Sequence, residues 1–216
     1  MYPSGPSAAG YAAATQVATL LAQRPPWSDR SQPDQLLVHL APHASDLLLH
    51  AAGQDLHHAA EHAHDGRLGA ATALVVRATR IVDAATVTLR LLQHATPRDD
   101  HIVELALRLS GPTTSPGWRK TRHGALSLDT AVNVALTTAG IDLRQGLDPA
   151  QPLYRLVEAM AGLDLAARAW RDQRHTLAAG LTAPGPARSA PDLVVDPQTL
   201  FPSLAATHHS RARESP

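Results

Sequence analysis

The stretch LGAATALVVRATRIVDAATVTLRLL, Leu68 to Leu92, decides the fold. Its apolar positions Leu68, Ala71, Leu74, Val75, Ala78, Ile81, Val82, Ala85, Leu89 and Leu92 keep the three- and four-residue spacing of one face of an α-helix. Sustained over more than six turns, the pattern predicts about 40 Å of helix with a single stripe turned to a core. The flanking sequence repeats the pattern. Upstream, Leu36, Leu40, Leu47, Leu48 and Ala51 form a stripe that runs through Pro42, which would kink the helix without ending it, and on past Gly53 towards His64. Asp65-Gly66 then reads as a turn. Nearer the start, Val17, Leu20 and Leu21 mark a helix over 11–23 that Pro25-Pro26 stops.

Downstream, Thr96-Pro97 reads as the cap and first position of a short helix carrying Ile102, Val103, Leu105 and Leu109. Pro112 to Gly117 predicts an irregular loop from which Trp118-Arg119 emerge, a place where side chains can be aimed at a ligand, with a further helix over Leu128 to Thr138. Leu153, Leu156, Val157, Met160, Leu163, Ala167 and Trp170 mark another long amphipathic helix reaching Leu181. Pro184, Pro186 and Pro191 end regular structure, and Leu200-Phe201 with Leu204 form a short apolar cluster able to dock. No strand pair and no repeat is visible. The expectation is an all-α, single-domain bundle of long amphipathic helices: a lead-in over 1–10, a helical domain over 11–183 and a Pro-rich tail over 184–216.

Composition narrows the chemistry. At 216 residues the chain has the length of one domain with a sizeable core. Nineteen basic against nineteen acidic residues give no electrostatic footprint for nucleic acid or an anionic membrane. The absence of cysteine excludes disulfides, iron–sulfur clusters and a thiolate-ligated haem, so any metal must be held by His, Asp or Glu. No apolar run approaches the ~20 residues of a membrane span, and Met1 to Gly10 lacks the basic and apolar regions of a signal peptide. A soluble, cytoplasmic protein is expected.

The thirteen histidines are the anomaly. His58 and His62 stand four apart on one helix face, as two zinc ligands would. No third ligand follows at a recognisable spacing, and Glu61 does not complete an H-E-x-x-H signature, so the His57 to His64 run reads better as a solvated surface. His39 and His43 are also four apart, beside the apolar stripe, where one of them would be a core histidine bonded to an acid such as Asp46 or would face a ligand. His175 is a lone helical histidine after Trp170-Arg171. Phosphate-binding loops, G-x-S-x-G and framed carboxylate pairs are missing, which leaves histidines projecting from long helices, one way to hold a haem or other metal in a core.

Several strings, in order, resemble the tryptophan 2,3-dioxygenase family over most of 11–204. Leu20-Leu21-Ala22-Gln23-Arg24-Pro25 resembles its L-L-x-x-Q-R-P, with Tyr11 one place from a substrate-side tyrosine. Pro33-Asp34-Gln35-Leu36-Leu37 is similar to H-D-E-L-L, and Asp46-Leu47 falls on the Glu-Leu of V-H-Q-x-x-E-L. That register puts Pro42 where the family has its distal histidine and His43 on the next position. The helix from Gly66-Arg67-Leu68 to Leu92, then His94-Ala95-Thr96-Pro97, resembles G-D-L…R-x-x-x-I…L-x-x-M-T-P, and Ser110-Gly111…Trp118-Arg119 resembles S-G-F-Q-S-x-Q-F-R with one extra residue. Leu153-Tyr154-Arg155-Leu156-Val157-Glu158, Leu163-Asp164 and Trp170-Arg171 resemble the run before W-R-x-x-H, with His175 one residue later than the axial histidine. Leu200-Phe201-Pro202-Ser203-Leu204 resembles F-P-x-L-W, whereas Pro184-Gly185-Pro186-Ala187-Arg188-Ser189 replaces the family's G-T-G-G-T/S loop.

The resemblance implies a haem b protein. His175 would be the axial ligand of the iron, Arg119 would grip an amino-acid carboxylate with Trp118 and Tyr11 beside the substrate, and His43 or His39 would line the distal side. The activity implied is oxidative opening of the indole ring of L-tryptophan by dioxygen to N-formylkynurenine, in a homo-oligomer that is tetrameric by resemblance. The alternatives are a haem-dependent hydroxylase of tyrosine or another aromatic, and a non-catalytic helical module that binds haem or a partner.

Overall fold

A computed structural model describes residues 33–95, 115–141, 148–182 and 199–204. Within them the chain is helical and carries no strand. α1 is Pro33–His64, α2 is Leu68–Arg90 and runs into a 3-10 turn at Leu91–His94, α3 is Pro116–Thr138 and α4 is Pro152–Thr182.

α2 buries the face its spacing predicts: Ala71, Val75, Ala78, Val82, Ala85 and Leu89 are enclosed, Leu92 follows in the 3-10 turn, and Leu68, Leu74 and Ile81 pack at the edges. Thr86 also lies on this face, its hydroxyl donating to the Val82 carbonyl at 3.0 Å, so the buried group is satisfied within the helix. α1 continues through Pro42 and Gly53 to His64, as the stripe predicts. It stops where Gly66 takes a φ of 73°. The amide of Gly66 then reaches the Ala63 carbonyl at 3.1 Å and that of Arg67 reaches His62 at 2.8 Å, which satisfies the last carbonyls of the helix. Gly140 closes α3 in the same way, with a φ of 65° and the Ile141 amide 3.0 Å from the Leu136 carbonyl.

α3 corrects one expectation. It starts at Pro116, not Leu128, and Trp118-Arg119 lie in its first turn, not in a loop. Ser115 is the N-cap, its side chain accepting from the Trp118 amide at 3.0 Å, and Pro116 occupies the first helical position, where its missing N–H costs nothing. Ser115, Pro116 and Gly117, at the end of the stretch that read as a loop, are here the cap, the first position and a packing position of a helix. α4 fulfils the pattern from Leu153 to Trp170 and buries Asp164, Arg171 and Arg174 along with it.

α1 is the centre of the packing. α2 returns against it after the tight turn, and Arg77 clamps Asp55 with two hydrogen bonds of 2.6 Å across the pair. α3 lies parallel to α1: Asp46 meets Ser115 and Gly117, the Thr121 hydroxyl donates to the Leu49 carbonyl at 2.7 Å, and Gly124 meets Gly53 and Leu56. Three glycines form this seam. A Cβ on Gly53 would stand 2.7 Å from Lys120 and Thr121 backbone, one on Gly124 would stand 2.6 Å from the Gly53 carbonyl, and one on Gly117 would collide with the Asp46 carbonyl. α4 packs on α2 and reaches α1 and α3 through Trp170, whose indole N–H donates to Ser45 Oγ at 3.1 Å.

The segment 199–204 docks, with Leu200, Phe201 and Leu204 buried. Asp164 holds it by accepting from the Leu200 amide at 2.7 Å and the Thr199 hydroxyl at 3.1 Å, and Asp129 accepts from the Ser203 amide at 3.0 Å. Among the described residues no helix is long and apolar enough to cross a membrane. Tyr11, the helix expected over 11–23, the short helix after Thr96-Pro97 and the segment 184–189 lie outside the described residues.

Candidate functional site

The candidate side chains collect where the first turn of α3 meets the C-terminal half of α4. Trp118 and Trp170 are both buried, and their rings stack with centroids 5.1 Å apart at 17°. Each carries a guanidinium: Arg171 stands 5.6 Å from the Trp118 centroid and Arg174 4.8 Å from that of Trp170. A cation over an indole face is attracted by the ring quadrupole, more strongly where water is excluded. Both arginines are buried, at 6% and 7% exposure, which is the unusual feature of this region because arginine seldom leaves solvent without a specific reason.

α4 positions this group through its own repeat. Trp170 and Arg174 are four residues apart and so share a face, as do Arg171 and His175. Ser45 fixes the Trp170 ring through the indole N–H. Asp46, next along α1, takes hydrogen bonds from the Ser115 hydroxyl and, at 3.1 Å, the Gly117 amide. A carboxylate there complements the positive end of α3. Burial pulls the Arg174 guanidinium down from its ordinary value to about 10, and the nearby Asp46 charge offsets only part of that.

His175 is half-buried, and its Nδ1 is enclosed with no hydrogen-bond partner. Trp118 Nε1 is likewise enclosed and unsatisfied. The structure therefore brings together Trp118 and the helix that carries His175. Arg119 points elsewhere: one position beyond Trp118, about 100° around the helix, it is exposed and makes no side-chain ion pair or hydrogen bond with the described residues. His43 is exposed on α1, while Ala41 and Ser45 occupy the buried side of that turn. His39 falls in α1, but its side chain lies outside the described ones.

The histidine-rich end of α1 behaves as solvated surface. His57 and His58 are half-exposed and flank Glu61 at 3.6 and 3.0 Å, and the hydrogen bond with His58 holds the Glu61 carboxyl below its ordinary value. Among the described residues no three His, Asp or Glu side chains are grouped to hold a metal ion. His62 Nδ1 is enclosed without a partner, an exception on this face. At this end of α1 an open hollow of about 380 Å³ lies between α1 and α3, lined by Ala60, Glu61, His64, Asp65, Thr130 and Val134 among others.

Ser45 and Arg174 are the members of the candidate site that reading the sequence missed, and Asp46, expected as the acid bonded to a histidine, instead holds the start of α3. Arg174 carried a signal, the aromatic–cation spacing of four from Trp170. Ser45 and Asp46 carried none, because their roles depend on which helix lies alongside. Comparison with protein-family models and with curated proteins finds no match to this chain.

Proposed function

We propose that the protein binds haem and acts as an oxygenase of an aromatic amino acid, with opening of the indole ring of tryptophan as the reaction the sequence resemblance favours. The observation that carries the reading is His175, an imidazole with an enclosed, unsatisfied ring nitrogen one residue beyond the place where the resemblance expects an axial ligand. A histidine nitrogen with no proton partner is a group that a metal can engage. It follows Arg171 by four residues on the same face of α4, and it is Arg171 that lies over the Trp118 ring.

Haem would supply the binding and activation of dioxygen. The residues of the chain would do the rest: His175 would hold the group from α4, the packed apolar faces of α2 and α4 would exclude water, and the buried guanidiniums would orient an anionic ligand beside the indoles. Homo-oligomerisation and a cytoplasmic location belong to the same proposal.

A haem titration followed at the Soret band tests it. The full chain is expected to give a saturable histidine-ligated spectrum, His175→Ala to lose that ligation, and His62→Ala, whose Nδ1 is also enclosed, to keep it. An unchanged axial spectrum in His175→Ala removes the reading. Formylkynurenine as product separates ring opening from hydroxylation of tyrosine or another aromatic.

A second reading is a helical module without catalysis. One observation favours it: Trp118, expected beside the substrate, is already stacked on Trp170. No Soret band after haem addition supports this reading over either enzyme.

A further inference from the structure

We infer that the gap between α3 and α4 is a docking groove for a short peptide segment, and that residues 199–204 fill it as a releasable strap of this same chain. The inference depends neither on haem nor on catalysis.

The helices leave one side of the bundle to be closed by something else. α1 packs on α2 and on α3, and α2 packs on α4, but among the described residues α3 and α4 form no such close-packed pair. Residues 199–204 bridge them. Leu200 and Phe201 are each 2% exposed and Leu204 8%, so the segment seats three apolar side chains in the core. Its amides are met in a way that lets it move as a unit. The Leu200 amide donates to Asp164 on one wall, the Ser203 amide to Asp129 on the other, the Phe201 amide to the segment's own Thr199 hydroxyl at 3.2 Å, and Pro202 has no amide to satisfy. All of these acceptors are side chains, so departure of the strap breaks no backbone hydrogen bond of the four helices, and water can replace each one.

Docking also carries an opposing term. Asp129 is 4% exposed, and while one of its oxygens accepts from Ser203, Oδ1 is enclosed with no partner. A buried carboxylate oxygen without a donor is unfavourable, and lifting Ser203 away opens the group to water. Asp164 is better satisfied, its second oxygen accepting from Arg168 at 2.6 Å. The groove lies on the side of the bundle that carries the indole stack: Asp129 follows Trp118 by eleven residues on α3, Asp164 precedes His175 by eleven on α4, and eleven residues return to within about 20° of the same face.

The probe is a fluorescein-labelled peptide of residues 197–206, followed by anisotropy with the full chain. In wild type the tethered strap competes at high effective concentration, whereas in Phe201→Asp it cannot seat, so the variant is expected to bind the peptide roughly tenfold or more tightly than wild type does. The same peptide carrying Phe201→Asp should bind neither chain. Equal binding by the two chains overturns the inference, as does no binding to a Phe201→Asp protein of wild-type helicity. Hydrogen exchange of the wild-type chain decides the matter independently if that variant fails to fold. The amides of Leu200 and Ser203 are expected to exchange by a local opening, at least roughly tenfold faster than those of Val132 and Leu163. Exchange as slow as at those core positions would make 199–204 an integral part of the bundle and end the proposal.

Discussion

Replacing Gly53 by alanine should destabilise the protein, although alanine is the better helix former. The new Cβ would stand 2.7 Å from the backbone of Lys120 and Thr121, atoms that no rotamer change can move. Ordinary carbon contacts begin near ~3.5 Å, so α1 and α3 would have to part by about 1 Å. A displacement of that size would stretch the 2.7 Å bond from Thr121 Oγ to the Leu49 carbonyl out of hydrogen-bonding range. Overpacking costs about 1–3 kcal/mol and the hydrogen bond about 1 more, against a propensity gain of about 1 kcal/mol. The net expectation is a loss of about 1–3 kcal/mol. Gly162 is the control: it lies within α4 and nothing stands within 4 Å of its Cβ position, so Gly162→Ala should stabilise by about 0.5–1 kcal/mol. Urea unfolding followed by helical circular dichroism measures both, read as midpoint shifts at constant slope. A Gly53→Ala protein as stable as wild type, or one that moves with Gly162→Ala, refutes the close seam.

Removing the Phe201 ring should cost about 3–5 kcal/mol, since it is 2% exposed, whereas Asp164→Asn should cost less and act locally, by weakening the hold on the Leu200 amide. Amide hydrogen exchange at Leu200 is the readout, and unchanged protection in Asp164→Asn would contradict the docking described. Glu61 is held below its ordinary value of 4.5 by His58, so its contribution is present above that pH and is lost as pH falls through the lowered value. Wild type and Glu61→Gln should therefore differ slightly near pH 6 and converge in acid. Because Glu61 is exposed, added salt should erase the difference, and a difference that persists in acid and in high salt would exclude this cause.

How far the sequence could be read follows from which forces are local. α2 was legible because every third or fourth residue from Ala71 to Leu89 reports the same buried face. α1 was legible through Pro42 because the apolar stripe continues on both sides of it. The start of α3 was misread at Ser115-Pro116, where the same residues serve a loop or a helix cap, and the choice falls to tertiary contacts from Asp46. The glycine seam was illegible for a related reason: Gly53 and Gly162 look alike in sequence, and only the neighbouring helix separates a close approach from open space. At the site, Trp118, Trp170-Arg171 and His175 stood out as local strings. Their stacking, the burial of Arg174 and the outward turn of Arg119 depend on how α3 and α4 meet.

The parallel pairing of α1 and α3 sets an order of assembly. α1 and α2 are joined by a turn around Gly66 and can zip together as neighbours, while Asp46 and Thr121 find their partners 69 to 72 residues away along the chain. Distant partners carry the larger loop-closure entropy and slow the search. The helical hairpin is thus expected to form early, with α3 settling on it late, so that substitutions in the glycine seam would accelerate unfolding more than they retard folding.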